Sequence, residues 1–284
     1  MRILAVIIRY HPVLEHLRKN IDAISHDVER VIIWDNSPME EMEHNKSFCK
    51  SHYPAADFVG DGRNMGISHV LNYAWQFARS NDYDTLLTLD QDSLFIDFNT
   101  YKQRVSGKWA KDGLCLCGPT PNLHLAQHPM QGFSKQDDII TSGMLVPISL
   151  LSQCGGYCTD FKVDGIDVEL CYHLREFGFL TYRDNQSNLI QQFGTPESKT
   201  IMGITFHAHN YSPSRLYGIF RNHTIIWRNY HQPYALLKKV VYGYFFKIVV
   251  LGVIMVEKQK KEKLSAVFRG FKDGFSQNIC GKEK

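Results

Sequence analysis

Residues 3–8 (Ile3, Leu4, Ala5, Val6, Ile7, Ile8) form an unbroken apolar run directly after Met1 and Arg2. The run is too short for a membrane span or the core of a signal peptide. It suits a β-strand buried on both faces, which needs helices packed above and below it. The same signature returns at 31–34, at Phe58 and Val59, and at 85–89, with a polar helical stretch at 13–25 and apolar residues at helical spacing over 67–78 between. Strands alternating with helices predict an α/β fold with a mostly parallel, Rossmann-like central sheet and crossover helices. A chain of 284 residues, 44% hydrophobic, is long enough for one such domain and an appendage. The expected division is a domain at 1–230 and a helical, basic extension at 231–284.

In open parallel sheets, ligands bind beyond the carboxyl ends of the strands. Polar clusters follow each expected strand: Arg9 and Tyr10; Asp35 and Asn36; Asp61 to Asn64; Asp90, Gln91 and Asp92. They are expected to converge on one rim. Asp90 and Asp92, one residue apart, can reach the same divalent cation, and their hard oxygens suit Mg2+ or Mn2+. The alternative is a solvated turn, and the neighbouring clusters favour the cation. Asp35, Asn36 and Ser37 form either an Asx turn or a contact to a base or ribose. Gly60, Gly62 and Gly66 enclose Arg63 and Asn64 before a helix, a place where backbone and guanidinium can meet phosphate. The Lys-Ser/Thr of a phosphate-binding loop and the spacing of a dinucleotide fingerprint are missing, which excludes those ATPase and dehydrogenase signatures. Residues 163–177 read as a helix with Asp164 and Asp167 on one face. These acids either cap that helix or serve as base and neighbour for an acceptor hydroxyl.

Seven cysteines occur without metal-type spacing, and the single residue between Cys115 and Cys117 is fewer than zinc pairs use. An odd count without a framework points to a reducing, cytoplasmic setting. A formal charge of +3 gives no reason to expect nucleic acid. Residues 234–256 are strongly apolar but broken by Lys238, Lys239 and Lys247, so a span is not expected. The segment is a helix buried on the core, a homo-oligomer surface, or an interfacial helix on the inner membrane face, helped by the basic cluster at 258–263.

Taken in order, these motifs resemble the inverting family 2 glycosyltransferases of GT-A fold, and within them the bacterial polysaccharide rhamnosyltransferases. The resemblance runs from Ile3 to about Gly274. It includes Thr141, Ser142, Gly143 and Met144, the Gly155, Gly156, Tyr157 turn, Arg215, Tyr217, Arg221 and Asn222, and the run from Arg269 to Gly274. It implies a nucleotide-sugar donor, dTDP- or UDP-linked, and a glycan or lipid-linked acceptor. Asp35 would contact the base. Arg9, Asn36, Arg63 and Asn64 would seat the nucleotide, with Asp90 on the ribose or sugar side and Asp92 on the metal. Ser142 and Gly143 would border the sugar, Arg175 would support the acidic site, and Asp167 would be the base with Asp164 beside it. In relatives a His three residues before a Gly often completes the metal shell. Here Gln191 stands three before Gly194, so the shell lacks that His or His207 or His209 replaces it. A nucleotidyltransferase is disfavoured, because no basic triphosphate loop lies near the N-terminus. A nucleotide-binding scaffold without catalysis stays open.

Overall fold

A computed structural model describes residues 1–125, 130–191, 197–230 and 233–279. The chain forms two compact units: 1–157 with 166–191, and 158–165 with the residues from 192 onward.

In the first unit the order is β1 (Ile3–Arg9), α1 (Leu14–Asp22), β2 (Arg30–Asp35), α2 (Met39–His52), β3 (Asp57–Val59), α3 (Ile67–Ser80) and β4 (Thr85–Asp90). Then follow β5 (Leu94–Phe95), α4 (Phe98–Asp112), β6 (Leu116–Pro121), β7 (Phe133–Gln136), β8 (Met144–Pro147), α5 (Ile148–Cys154), α6 (Ile166–Glu176) and β9 (Thr181–Ile190). The sheet order is β3-β2-β1-β4-β8-β6-β9-β5, with β7 also on β9. Strands β1, β2, β3, β4, β6 and β9 run one way, and β5, β7 and β8 run against them. This is the mostly parallel α/β sheet expected from the sequence.

Every residue of β1 is buried, because it lies between β2 and β4 and is covered on both faces. Ile3, Ala5 and Ile7 join Leu17 and Ile21 of α1 and Phe98 and Tyr101 of α4 in one core. The Asp97 side chain opens α4 by accepting the Thr100 N–H at 2.9 Å.

The helix expected over 163–177 begins only at Ile166. Gly165 sits at φ +89°, a left-handed conformation that a helix does not continue through. Asp164 therefore lies outside the helix and does not share a helical face with Asp167, contrary to the sequence expectation.

The second unit has an antiparallel pair, β10 (Glu197–Ile201) and β11 (Ile204–Ala208), then α7 (Pro213–Asn229) and α8 (Pro233–Lys238). A π-wound segment (Lys239–Ile254) and α9 (Lys260–Ser276) complete it. Leu216, Ile219 and Phe220 of α7 pack with Ile248, Val249 and Val253 of the π segment and Val267 of α9. Helix α9 approaches α7 through glycines. A Cβ at Gly270 would stand 2.7 Å from the Tyr217 carbonyl oxygen, and one at Gly274 would stand 2.7 Å from that of Arg221. Among the described residues no helix is long and apolar enough to cross a membrane.

Candidate functional site

Six parallel strands end on one edge of the sheet, at Arg9, Asp35, Val59, Asp90, Pro121 and Ile190. The register aligns Arg9 with Asp35, and Ile8 with Asp90. Because β8 runs the other way, its leading residues Ser142 and Gly143 arrive at the same edge. Hydrogen bonds knit the rim together. The Asn36 N–H donates to the Arg9 carbonyl at 2.9 Å, and the His11 N–H donates to Ser37 Oγ at 2.9 Å. Tyr10 and Gln91 are doubly joined, the Tyr10 N–H to Gln91 Oε1 at 2.8 Å and Gln91 Nε2 to the Tyr10 carbonyl at 3.0 Å.

Arg9 and Asp35 lie beneath this rim, and neither side chain has solvent-accessible surface. Arg9 Nε is 3.5 Å from Asp35 Oδ2, Nη1 reaches Cys49 Sγ at 3.3 Å, and the guanidinium stands over the Phe58 ring. The Asp35 carboxylate accepts the Ser37 N–H and Asn45 Nδ2, each at 2.9 Å. The pair braces the ends of β1 and β2 from below. Asn36 is the connector above it: its Oδ1 accepts Trp34 Nε1 and the Met65 N–H, both at 3.1 Å. That second bond fixes the glycine loop over the end of β2. At Gly62, φ is +77° and a Cβ would meet Met39 Cβ at 2.9 Å, so the turn needs glycine. Arg63 and Asn64 stand exposed on this loop. Arg63 Nε reaches Asp61 at 2.9 Å, and the guanidinium holds that carboxyl below its ordinary value. Asn64 Oδ1 accepts the Gly66 N–H at 3.0 Å, just before α3.

The acidic turn is closed by the Ser93 N–H to the Asp90 carbonyl at 3.2 Å, which also accepts Asn20 Nδ2 at 2.8 Å. Ser142 Oγ accepts the Asp90 N–H at 3.0 Å and donates to Ser93 Oγ at 2.6 Å. The Gly143 N–H bonds the Thr88 carbonyl at 2.7 Å. Ser142 and Gly143 are thus brought to Asp90, and Asp92 is exposed on the turn itself. Pairing of Leu94 with Ile190 delivers Gln191 to the same place. Its Nε2 donates to Asp90 Oδ2 at 3.0 Å, and its main chain is held by Asn122 through bonds of 2.9 and 3.1 Å. Gln191 Oε1 is buried with no hydrogen-bond partner among the described residues. Gly194 lies outside them.

Among the described residues, no three His, Cys, Asp or Glu side chains cluster as a metal site. The donors that fit a cation here are the carboxylates of Asp90 and Asp92 with the orphaned Gln191 carboxamide oxygen. All are hard oxygens, the class preferred by Mg2+ and Mn2+.

Asp167 occupies the first turn of α6, where its Oδ1 accepts the Val168 N–H at 2.8 Å. Arg175, in the last turn, donates to the Asp137 carbonyl at 2.8 Å and lies over the Tyr172 ring. In the second unit, Asp164 is 3.3 Å from Arg215 Nε, and its carbonyl accepts Asn222 Nδ2 at 2.6 Å. Burial pushes the Asp164 carboxyl up, against the pull of Arg215. His207 lies on β11 opposite Ser198, and His209 stacks on Tyr211 just past the strand end. Sequence reasoning missed Asn20, Asn45 and Asn122, all of which position the rim. Each is a lone amide with no motif around it.

No protein-family model and no curated protein matches the chain. Solved structures do. The manganese complex of GalNAc-T7 with UDP and GalNAc superposes with a TM-score of 0.62 at 11% identity, over 98% of this chain. The chain spans only 56% of that protein's length. The mannosyltransferase PcManGT of Pyrobaculum calidifontis, with GDP-Man and Mn2+, gives 0.61 at 12% identity, over 99% of this chain and 76% of its own. Residues 1–349 of S. aureus TarS, with UDP-GlcNAc, give 0.61 at 11% identity, over 94% of this chain and 79% of its own. The chain has the fold of these proteins. At such identities the likeness is one of architecture, and it matches the GT-A sheet and C-terminal helices expected from the sequence.

Proposed function

We propose that the chain is an inverting glycosyltransferase of family 2 type that uses a nucleotide-activated sugar. The observation that carries this reading is the rim itself. Strand ends and the β8 leader gather two amides (Asn36, Asn64), an exposed guanidinium (Arg63), the oxygens of Asp90, Asp92 and Gln191, and the small residues Ser142 and Gly143. Three solved proteins of this fold are bound to UDP with GalNAc, to UDP-GlcNAc and to GDP-Man, two of them with Mn2+.

The roles then follow from chemistry. Asn36 and Asn64 seat the nucleoside, with the buried Arg9–Asp35 pair fixing the strand ends that carry Asn36. Arg63 neutralises phosphate. Asp90, Asp92 and Gln191 would hold Mn2+ or Mg2+, which supplies neutralising charge for a nucleoside diphosphate leaving group. Asp167 takes the proton of the acceptor hydroxyl, whose oxygen attacks the anomeric carbon as the glycosyl–phosphate bond breaks on the opposite face, so configuration inverts. Arg175 fixes the end of the helix carrying Asp167. Within the second unit, Arg215 holds the Asp164 carboxylate. Rhamnose from dTDP-rhamnose is the donor favoured by the motif order, with other UDP-sugars as the alternative. The acceptor is a glycan or lipid-linked glycan of a cell-surface polysaccharide, and the enzyme works at the cytoplasmic face of the membrane.

The test is Asp167→Asn, assayed with dTDP-rhamnose and UDP-sugars. Transfer is expected to fall by about 10²–10⁴-fold while nucleotide binding persists. Unchanged transfer refutes the assignment. Binding without turnover in the unaltered protein, across all donors, favours a scaffold.

A further inference from the structure

The second unit presents an apolar face that the transferase chemistry does not use. Residues 233–256 contain no Asp or Glu. The π-wound segment buries Val240, Ile248, Val249 and Val253 on one side. Val241, Tyr242, Phe246 and Ile254 of the same segment, with Leu237 at the end of α8, are between 40 and 64% exposed. Leu237, the Val241–Tyr242 pair and Phe246 stand four to five residues apart, about one turn of π winding, and Ile254 follows eight residues later. Exposed Lys238 and Lys247 adjoin Leu237 and Phe246 in sequence. Helix α9 repeats the combination: exposed Lys261, Phe268, Lys272 and Phe275 fall at helical spacing.

The charge is one-sided. Lys258, Lys260 and Arg269 are exposed as well, and among the described residues from 233 onward the one exposed carboxylate is Glu262. Glu257 is buried and paired with Lys263 at 2.7 Å, so it cancels none of the surface cations. Exposed apolar surface of this kind marks an interaction site. A second copy related by a two-fold axis would set this basic face near itself, like charge facing like. An anionic bilayer instead offers an apolar interior to the stripe and phosphates to the lysines.

We propose that this face docks onto an anionic lipid surface and lies in the headgroup plane. The aromatic and aliphatic side chains enter the acyl boundary, and the lysines contact lipid phosphate. This names the surface behind the membrane placement proposed above and is independent of the transfer chemistry.

The test is co-sedimentation of the full chain with phosphatidylcholine vesicles, with and without phosphatidylglycerol, at low and high salt. Binding is expected only with phosphatidylglycerol, and salt is expected to weaken it. Tyr242→Ser with Phe246→Ser, and separately Lys238→Gln with Lys247→Gln, should each reduce it about tenfold or more. All four residues are exposed, so unchanged circular dichroism and unchanged nucleotide binding should accompany the loss. Three results overturn the proposal: no binding to either vesicle, equal binding to both, or a dimer that the serine variant dissolves without altering vesicle binding. Failure of nucleotide binding in the unaltered chain would strike the transferase reading and leave this one standing.

Discussion

Replacing Asp35 with Ala tests whether the carboxylate braces the sheet or faces a base. Asp35 and Arg9 are both without solvent-accessible side-chain surface and stand 3.5 Å apart. Removing one partner of such a pair strands a buried charge, which costs about 3–5 kcal/mol. The Ser37 N–H and the Asn45 amide also lose their acceptor, worth about 1–3 kcal/mol each where water cannot enter. These terms overlap, so about 4 kcal/mol is the expected total, a large share of the roughly 5–15 kcal/mol of a typical domain. At roughly 2–4 °C per kcal/mol, the midpoint should fall about 8–16 °C. Urea unfolding of the wild type, Asp35→Ala, Arg9→Met and the double variant Arg9→Met/Asp35→Leu gives the loss and the coupling. The double variant should recover the part of the loss owed to the stranded charge, while the Ser37 N–H and the Asn45 amide still lack their acceptor. An Asp35→Ala protein within about 1 kcal/mol of wild type would refute the buried-brace reading and return Asp35 to the nucleotide.

Gln191→Ala should weaken Mn2+ binding about 10–100-fold, measured by electron paramagnetic resonance of free Mn2+ in the presence of UDP or dTDP; Gln191→His should retain binding. Gly270→Val forces a side chain against the Tyr217 carbonyl, where a Cβ already falls 2.7 Å away. It should destabilise the second unit by about 1–3 kcal/mol, read as earlier loss of hydrogen-exchange protection in α7 and α9. The Asp164 carboxyl should titrate above its ordinary value of 3.8, and Arg215→Met should raise it further, since Arg215 lowers it. Its folded-state value is the higher one, so its contribution to stability is full below 3.8 and is lost as pH rises through the folded value; carboxyl carbon NMR checks both statements.

Strands β1, β2 and β4 were legible because each is a largely apolar, buried run, and β3 showed only as Phe58 and Val59; their order made the rim foreseeable. Strand β9 was not. Its Asp184, Asn185 and Ser187 are buried, kept there by Arg104 on Asp184 at 2.8 Å and by Ser134 on Asn185 at 2.8 Å. Partners from distant sequence make a polar string an interior strand, and periodicity carries no trace of them. The same blindness hid the burial of Arg9 and Asp35, each of which reads as a surface charge until its partner is known. Gly165 was visible as a residue, but its left-handed backbone, which moves the start of α6 to Ile166, was not. Residues 234–256 are one apolar block in sequence, and only packing divides them between α8 and the π segment.

The rim at the strand ends should bind a nucleoside diphosphate together with a divalent cation. Calorimetric titration of the full chain with UDP and dTDP, each with Mn2+ and then with EDTA, measures this directly. Saturable binding to at least one of them, weakened when the metal is removed and abolished in an Asp90→Ala/Asp92→Ala variant that still folds, is the predicted result. No heat with either nucleotide, or binding that neither EDTA nor the double variant alters, would contradict it.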